Sequence, residues 1–302
     1  MKKSSFFIAF LCLVHMVVGA SIYAGEGDVG TTAMDFMKLG HSVKSEAVGN
    51  ALTAGTSLDA LTLNPASIAS AKQISVSFQY LSHVQEISYK NINAVVPSEF
   101  GNFAVDVGII DLGQQTRTTH VNTTGAGTFS NVGFQILGAY ANSWEGLKVG
   151  VGMKYVSQTL DTTRARAIGV DAGVHYSFSE ALALGASVQN MTLEKAKYVQ
   201  AEGNLPQTVR VGLIYDMLIM DNPMRLFYDA IVPNDDAAAF GFGAEYKVND
   251  FLNVRSGYET YGDLGKFSMG LGLSLNNVLV DFTYKPMALF GQNYRVGIGL
   301  NL

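Results

Sequence analysis

From Gln73 to the last residue, apolar positions alternate with small or polar ones, and no apolar run approaches the ~20 residues that a membrane helix needs. Ile74, Val76, Phe78 and Tyr80 alternate with Ser75, Ser77 and Gln79, while Phe103, Val105, Val107 and Ile109 alternate with Ala104, Asp106 and Gly108. Every second side chain of a strand points to the same face, so each segment carries one apolar face. The pattern recurs at Leu147–Ser157, Ile168–Tyr176, Leu182–Val188, Val209–Tyr215, Met224–Ala230 and Phe240–Tyr246. It continues at Leu252–Tyr258, Phe267–Leu273, Val278–Tyr284 and Tyr294–Leu302. With Val132–Tyr140 and an irregular Ile87–Val96, expected to bulge near Asn91, the reading predicts about 14 strands.

The other face decides what kind of sheet this is. A soluble sandwich buries its apolar face and covers the second with charge. Here the second face is mostly Gly, Ser and Ala, and charged residues are only 15% of the chain against about 25% in ordinary domains. The charges within strands fall on that small-residue face: Lys154, Asp171, Arg210, Asp216, Arg225, Asp229, Glu245, Arg255, Asp281 and Arg295. Apolar outside and polar or small inside is the arrangement of a transmembrane barrel. Tyr80, Tyr140, Tyr155, Tyr176, Tyr215, Tyr246, Tyr258, Tyr284 and Tyr294 lie near strand ends, where an aromatic girdle sits. In hydrocarbon every backbone polar group needs a partner, so the sheet must close. The expected fold is an all-β, transmembrane antiparallel barrel over residues 73–302, with short turns after the even strands. Two longer connections, Asp111–Thr128 and Met191–Leu205, fall after odd ones.

The N-terminus has different chemistry. Lys2 and Lys3 precede an apolar stretch from Phe6 to Val18, followed by small residues at Gly19, Ala20 and Ala24. This is the pattern of a cleavable signal over residues 1–24, cut after Ala24 or alternatively Ala20. The single Cys, Cys12, lies within it, so the mature chain is expected to have no disulfide, thiolate metal site or Cys nucleophile. Residues 25–72 are rich in Ala, Gly, Ser and Thr, with helix-like pieces too short to stand alone, and read as a short helical hatch inside the barrel.

Three runs in that region carry a resemblance: Phe36-Met37-Lys38-Leu39-Gly40, Ser45-Glu46-Ala47-Val48-Gly49-Asn50-Ala51 and Asn64-Pro65-Ala66-Ser67-Ile68. Together they resemble the N-terminal signature of PorV/PorQ-type proteins, within the FadL-like outer-membrane group. This chain has Ser67 where that pattern often has Gly, and Lys44-Ser45 where an Arg is common. The resemblance implies a 14-stranded barrel in a bacterial outer membrane, with an N-terminal hatch. Independently, Asn64 can cap a turn and Pro65 donates no hydrogen bond, so this element can fix the hatch where it enters the wall. Whether it also gates is left open by sequence. The final strand, alternating from Tyr294 to Leu302, resembles the recognition strand of the barrel-assembly machinery, an expected partner beside outer-membrane lipid.

No catalytic constellation emerges, so no enzyme activity and no cofactor are expected. His41, His83, His120 and His175 lack metal-ligand spacing. The Gly-x-Gly units at Gly150, Gly241, Gly270 and Gly297 lie inside strands and open no helix, so they are not phosphate loops; they suit close approach of the hatch to the wall. A net charge of -5 without a basic cluster speaks against nucleic acid. The lumen charges, of both signs, are expected to pair between neighbouring strands. The last outer loop is apolar at Met287, Leu289 and Phe290, a candidate contact surface. Two functions fit: a gated channel for small hydrophobic molecules, with Met34, Phe36, Met37 and Leu39 lining a continuous apolar path and Asn64, Pro65 and Ala66 at the gate, or a type IX secretion component that binds cargo or partner proteins. A purely structural barrel is a third.

Overall fold

The computed structural model describes residues 29–39, 42–84, 86–260, 266–287 and 291–302. The expected signal over residues 1–24, His41, and Leu289 and Phe290 of the apolar loop lie outside the described residues. The chain forms β1 (Ser75–Ser82), β2 (Ser88–Val96), β3 (Asn102–Thr116), β4 (Thr128–Trp144), β5 (Leu147–Leu160) and β6 (Thr163–Ser177). These are followed by β7 (Leu182–Glu194), β8 (Ala196–Tyr198), β9 (Ala201–Gly203), β10 (Thr208–Ile219) and β11 (Asn222–Pro233). The last five are β12 (Ala239–Lys247), β13 (Leu252–Glu259), β14 (Phe267–Leu275), β15 (Val278–Pro286) and β16 (Gln292–Asn301). All but β8 and β9 join one closed barrel of 14 antiparallel strands, the number the alternation predicts. Closure comes from β1 against β16, in register from Ser75 opposite Asn301 to Ser82 opposite Tyr294.

Burial is inverted relative to a soluble protein. Outward Phe78, Phe103, Val151, Phe242, Leu271 and Ile298 are 45–52% exposed, whereas inward Asp106, Asp171, Arg210 and Asp229 are at most 2% exposed. Such a surface is stable only in contact with hydrocarbon.

Three details differ from the sequence reading. β2 runs in unbroken register with both neighbours, so there is no bulge near Asn91; its irregular pattern arises because Asn91 and Asn93 face inward on the side of Asp106. Register shifts occur instead between Asp111 and Gln114 of β3, and where β6 meets β7 at Ile168–Ala172. The ends of the 111–128 stretch are strand, because β3 continues past the apolar belt to Thr116 and β4 begins at Thr128, which leaves residues 117–127 as the connection; the 191–205 connection contains the β8–β9 hairpin. The barrel rim is therefore uneven: β3 to β6 have 14–17 residues and β12 to β15 only 8–9.

The segment before β1 runs down the inside of the barrel. It starts at the long-loop rim, where Ala33 N donates to Asn204 O at 2.8 Å, and ends at the short-turn rim, where Asn102 Nδ2 donates to the carbonyls of Ile68 and Ala71. Between them lie one α-helical turn, α1 (Val43–Ala47), and 3-10 turns at Asp35–Leu39, Leu58–Ala60 and Pro65–Ser70. Helix α1 has five residues, too few to persist alone. It is capped by Ser42, whose Oγ accepts from Ser45 N at 3.0 Å, and is held by the wall.

Candidate functional site: the lumen and its N-terminal segment

Glycines set how closely the segment sits against the wall. A Cβ at Gly270 would lie 2.5 Å from Ala47 Cβ, and one at Gly185 would lie 2.5 Å from Thr53 O. Side chains at Gly241, Gly243 and Gly257 would collide with the backbone of Val48 and Gly49, and side chains at Gly150 and Gly173 with Asn64–Ala66. Of the four Gly-x-Gly positions singled out from sequence, Gly150, Gly241 and Gly270 lie under this segment and Gly297 touches Val43.

The Asn-Pro-Ala element is clamped between β5 and β6. Asn64 Oδ1 accepts from Ala66 N at 3.0 Å, and its Nδ2 donates to Thr53 O at 2.9 Å and Val174 O at 3.0 Å. Asn64, Pro65 and Ala66 are fully buried. Each amide atom of Asn64 thus ties a different part of the molecule, which is why a polar residue is buried there at little cost. Ser67, where related patterns often have Gly, is buried with its Oγ unpartnered.

The ten charged positions named from sequence all reach partners. Lys154 meets Asp171 at 2.8 Å and Arg210 meets Asp229 at 3.2 Å, both across adjacent strands. Arg225 grips Asp216 with two bonds of 2.6 and 2.9 Å. Arg255 contacts Glu245 at 2.6 Å and also reaches across β14 to Asp281, passing over Gly272, where a side chain would hit its guanidinium. Arg295 pairs with Glu46 of α1. Sequence reasoning missed several partners: Glu46, Lys44 (3.0 Å from Glu245), the Lys285–Glu259 pair, and Asp235, which takes Lys38 at 2.6 Å. Glu46 stood inside a quoted motif, but Arg295 lies 249 positions later, and no local pattern links the two.

Apolar residues gather elsewhere. Met34, Phe36 and Met37 pack with Leu81, Tyr89, Ile110, Val156, Ala165, Ala167 and Leu205 near the long-loop rim, with Leu39 at the edge of the cluster. Leu61 and Ile68 pack with Val95, Leu137, Ala139 and Ala141 near the other rim. The expected continuous apolar path is interrupted between these clusters. At that level Asp106 accepts from Asn91 at 2.8 Å and from Gln135 at 3.3 Å, and Lys154–Asp171 spans the adjacent wall. Buried polar groups are stable when paired, so this layer is built into the fold and divides the apolar lining in two.

A cavity of about 480 Å³ lies beside the segment on the long-loop side. Met37, Leu39, Ile231, Pro233 and Met287 supply its apolar lining. Its four basic residues, Lys38, Arg210, Lys285 and Arg295, are each ion-paired. His83, in the β1–β2 connection, also borders it, and burial holds that imidazole below its usual pKa. Among the described residues, no group of three or more His, Cys, Asp or Glu is placed to hold a metal ion.

No protein-family model matches the sequence, and no curated protein matches it. Solved structures resemble the fold. The toluene transporter TodX of Pseudomonas putida superposes with a TM-score of 0.61 at 12% identity, over 86% of this chain and 96% of that one. The monoaromatic hydrocarbon channel CymD gives 0.57 at 12% identity, over 87% and 97%. A Pseudomonas aeruginosa FadL homologue gives 0.55 at 11%, over 86% and 98%. At such identities the likeness establishes the fold alone, a closed 14-stranded antiparallel barrel of FadL-like architecture.

Proposed function

We propose that this chain is an outer-membrane channel for uptake of small, uncharged hydrophobic molecules, with the N-terminal segment as its hatch. One observation carries the reading: the cavity beside the hatch has an apolar side formed by Met37, Leu39, Ile231, Pro233 and Met287 and a volume of about 480 Å³, within the ~300–1,000 Å³ of small-molecule sites. Because each basic residue around it already has an anionic partner, a carboxylate ligand would have to break an existing pair, whereas a neutral hydrophobe would not. The polar layer near Asp106 divides the apolar lining, so transport requires the hatch to shift on its glycine seats. The fold shared with a toluene transporter and a hydrocarbon channel supports the same direction. The alternative in type IX secretion, and the finer PorV/PorQ assignment, rest on the short N-terminal signature alone.

The test is uptake of radiolabelled toluene and of a long-chain fatty acid into vesicles containing the full barrel. Toluene should enter faster than into empty vesicles, and Leu39→Trp, which fills the cavity, should remove most of the gain. Equal rates with and without the barrel would reject the channel reading, and preferential uptake of the acid would reject the selectivity.

A further inference from the structure

We infer that the long-loop end of β6 is a docking site on the outer wall for phosphate-bearing lipid headgroups, held by Arg164 and Arg166. The inference rests on the outer-membrane reading above but not on transport.

The register fixes where these side chains point. Ala165 and Ala167 are buried in the lumen cluster with Phe36, so Arg164 and Arg166 between them face outward, and both are exposed. On the same face Tyr155 of β5 pairs with Ile168 of β6 as the last apolar step of this strand pair, while on β4 outward Phe134 and Val132 stand beside Ser157 and Thr159. The next two steps pair Ser157 with Arg166 and Thr159 with Arg164. Each step advances about 6.6 Å along a strand, so the arginines sit level with the outermost apolar residues of β4, from which their long side chains reach headgroup depth.

Among the described residues neither arginine has an ion pair; Arg164 Nη2 makes a long contact of 3.4 Å to Ser157 Oγ. That distinguishes them from the inward basic residues described above, all of which meet a carboxylate. Among the described residues, no other barrel strand carries two basic residues at outward positions, and the chain as a whole is acidic, at -5. Two unpaired guanidiniums two positions apart on a strand, with hydroxyls of Ser157 and Thr159 beside them, suit the planar, bidentate binding of phosphate oxygens. The inner face of this part of β6 is packed against the hatch, so the backbone presenting them is fixed.

The experiment places the full barrel in nanodiscs of an uncharged, phosphate-free galactolipid containing a glycolipid that bears two phosphates, or the same glycolipid dephosphorylated, and counts retained lipids by native mass spectrometry. The phosphorylated form should be enriched on the unaltered barrel. Arg164→Ala with Arg166→Ala should weaken retention by about thirty-fold, at roughly a kilocalorie per cation. The double Lys variant should keep part of it, and heat-modifiability on gels should show all three barrels folded. Equal retention of both lipids, or no loss in the double Ala variant, would overturn the site. Saturable binding of inorganic phosphate in uncharged detergent would overturn the lipid assignment in favour of a free anion. A barrel that fails the toluene assay still gives this readout, so the two readings fail separately.

Discussion

Along β12 to β16 the hatch meets charge, while along β2 to β6 it meets mainly hydrocarbon. On the first side Glu46 joins Arg295, Lys44 joins Glu245, Asn293 Nδ2 donates to Glu46 at 2.9 Å, and Thr283 Oγ1 donates to Val43 O at 2.7 Å. Neither of the two apolar clusters described above includes a residue of β12 to β16, nor does the cluster of Val48, Leu52 and Leu63 with Ile214 and Phe227. On the second side Phe36, Leu61 and Ile68 lie among wall residues such as Ile110, Val95 and Leu137, and the polar exceptions are the Asp106 and Lys154–Asp171 layer and the amides of Asn64 and Asn102, which join the N-terminal segment to β6 and β3. The two kinds of contact respond differently to displacement. An ion pair with fixed donors is lost over a short distance, whereas apolar packing is non-directional and can re-form after a slide. On the channel proposal the charged side would define the position of the N-terminal segment, and the apolar side would be the face along which it shifts.

The sharpest way to break this comparison is to remove one member of the charged side. Arg295→Ala leaves Glu46 buried without its cation and should cost about 3–5 kcal/mol, read by denaturant unfolding of the barrel in vesicles. Glu46→Met together with Arg295→Met should cost less than Arg295→Ala alone. If the double variant is the worse of the two, the pair is not what registers the hatch. On the apolar side Leu137→Ala, at a fully buried position, should cost about 2–5 kcal/mol, while Leu137→Met should stay under about 1.5 kcal/mol because that side can repack. An equal cost for both would show a wall as rigid as the charged one.

The seats between the two sides provide a smaller test. Gly185→Ala places a methyl against Thr53 O and should cost about 1–3 kcal/mol, whereas Gly138→Ala, with open space around it, should be silent. Loosening should be local: a Leu52→Cys label in a Cys12→Ser background should react faster with a maleimide in the Gly185→Ala barrel than in the parent. Unchanged labelling would mean that the wall gives way instead of the hatch.

Much of this architecture was legible in the sequence, for a physical reason. Lipid imposes a period of two on every strand that crosses it, so the 14 strands and the inward charges show as alternation. Where lipid ends, the constraint ends too. The upper parts of β3 and β4, such as Gln114–Thr116, are polar on both faces and read as loop. Asn91 looked irregular because an inward Asn serving Asp106 breaks the expected small-residue face, while the actual register shifts carry no such mark. The glycine pattern announced close approach, yet nothing local shows that Gly257 lies on Gly49 or that Arg295 meets Glu46. Those contacts join residues more than 200 positions apart and appear only once the barrel closes.

The smallest expected effect concerns His83, where the charged side reaches the cavity. Burial lowers its pKa, opposed by Glu46 and reinforced by Arg295 and Lys285. A base with a depressed folded pKa takes up its proton more readily when unfolded. Stability is therefore complete above the unfolded value of about 6.5 and declines as pH falls below it towards the folded pKa. In His83→Gln that slope should flatten, while stability at pH 8 should change little. The Arg295→Ala barrel should show a shallower slope as well, because a cation that opposes protonation has gone. If acid destabilises the parent and His83→Gln to the same extent, the titrating group lies elsewhere. If Arg295→Ala alone flattens the slope, the His83 imidazole is not the group that senses pH.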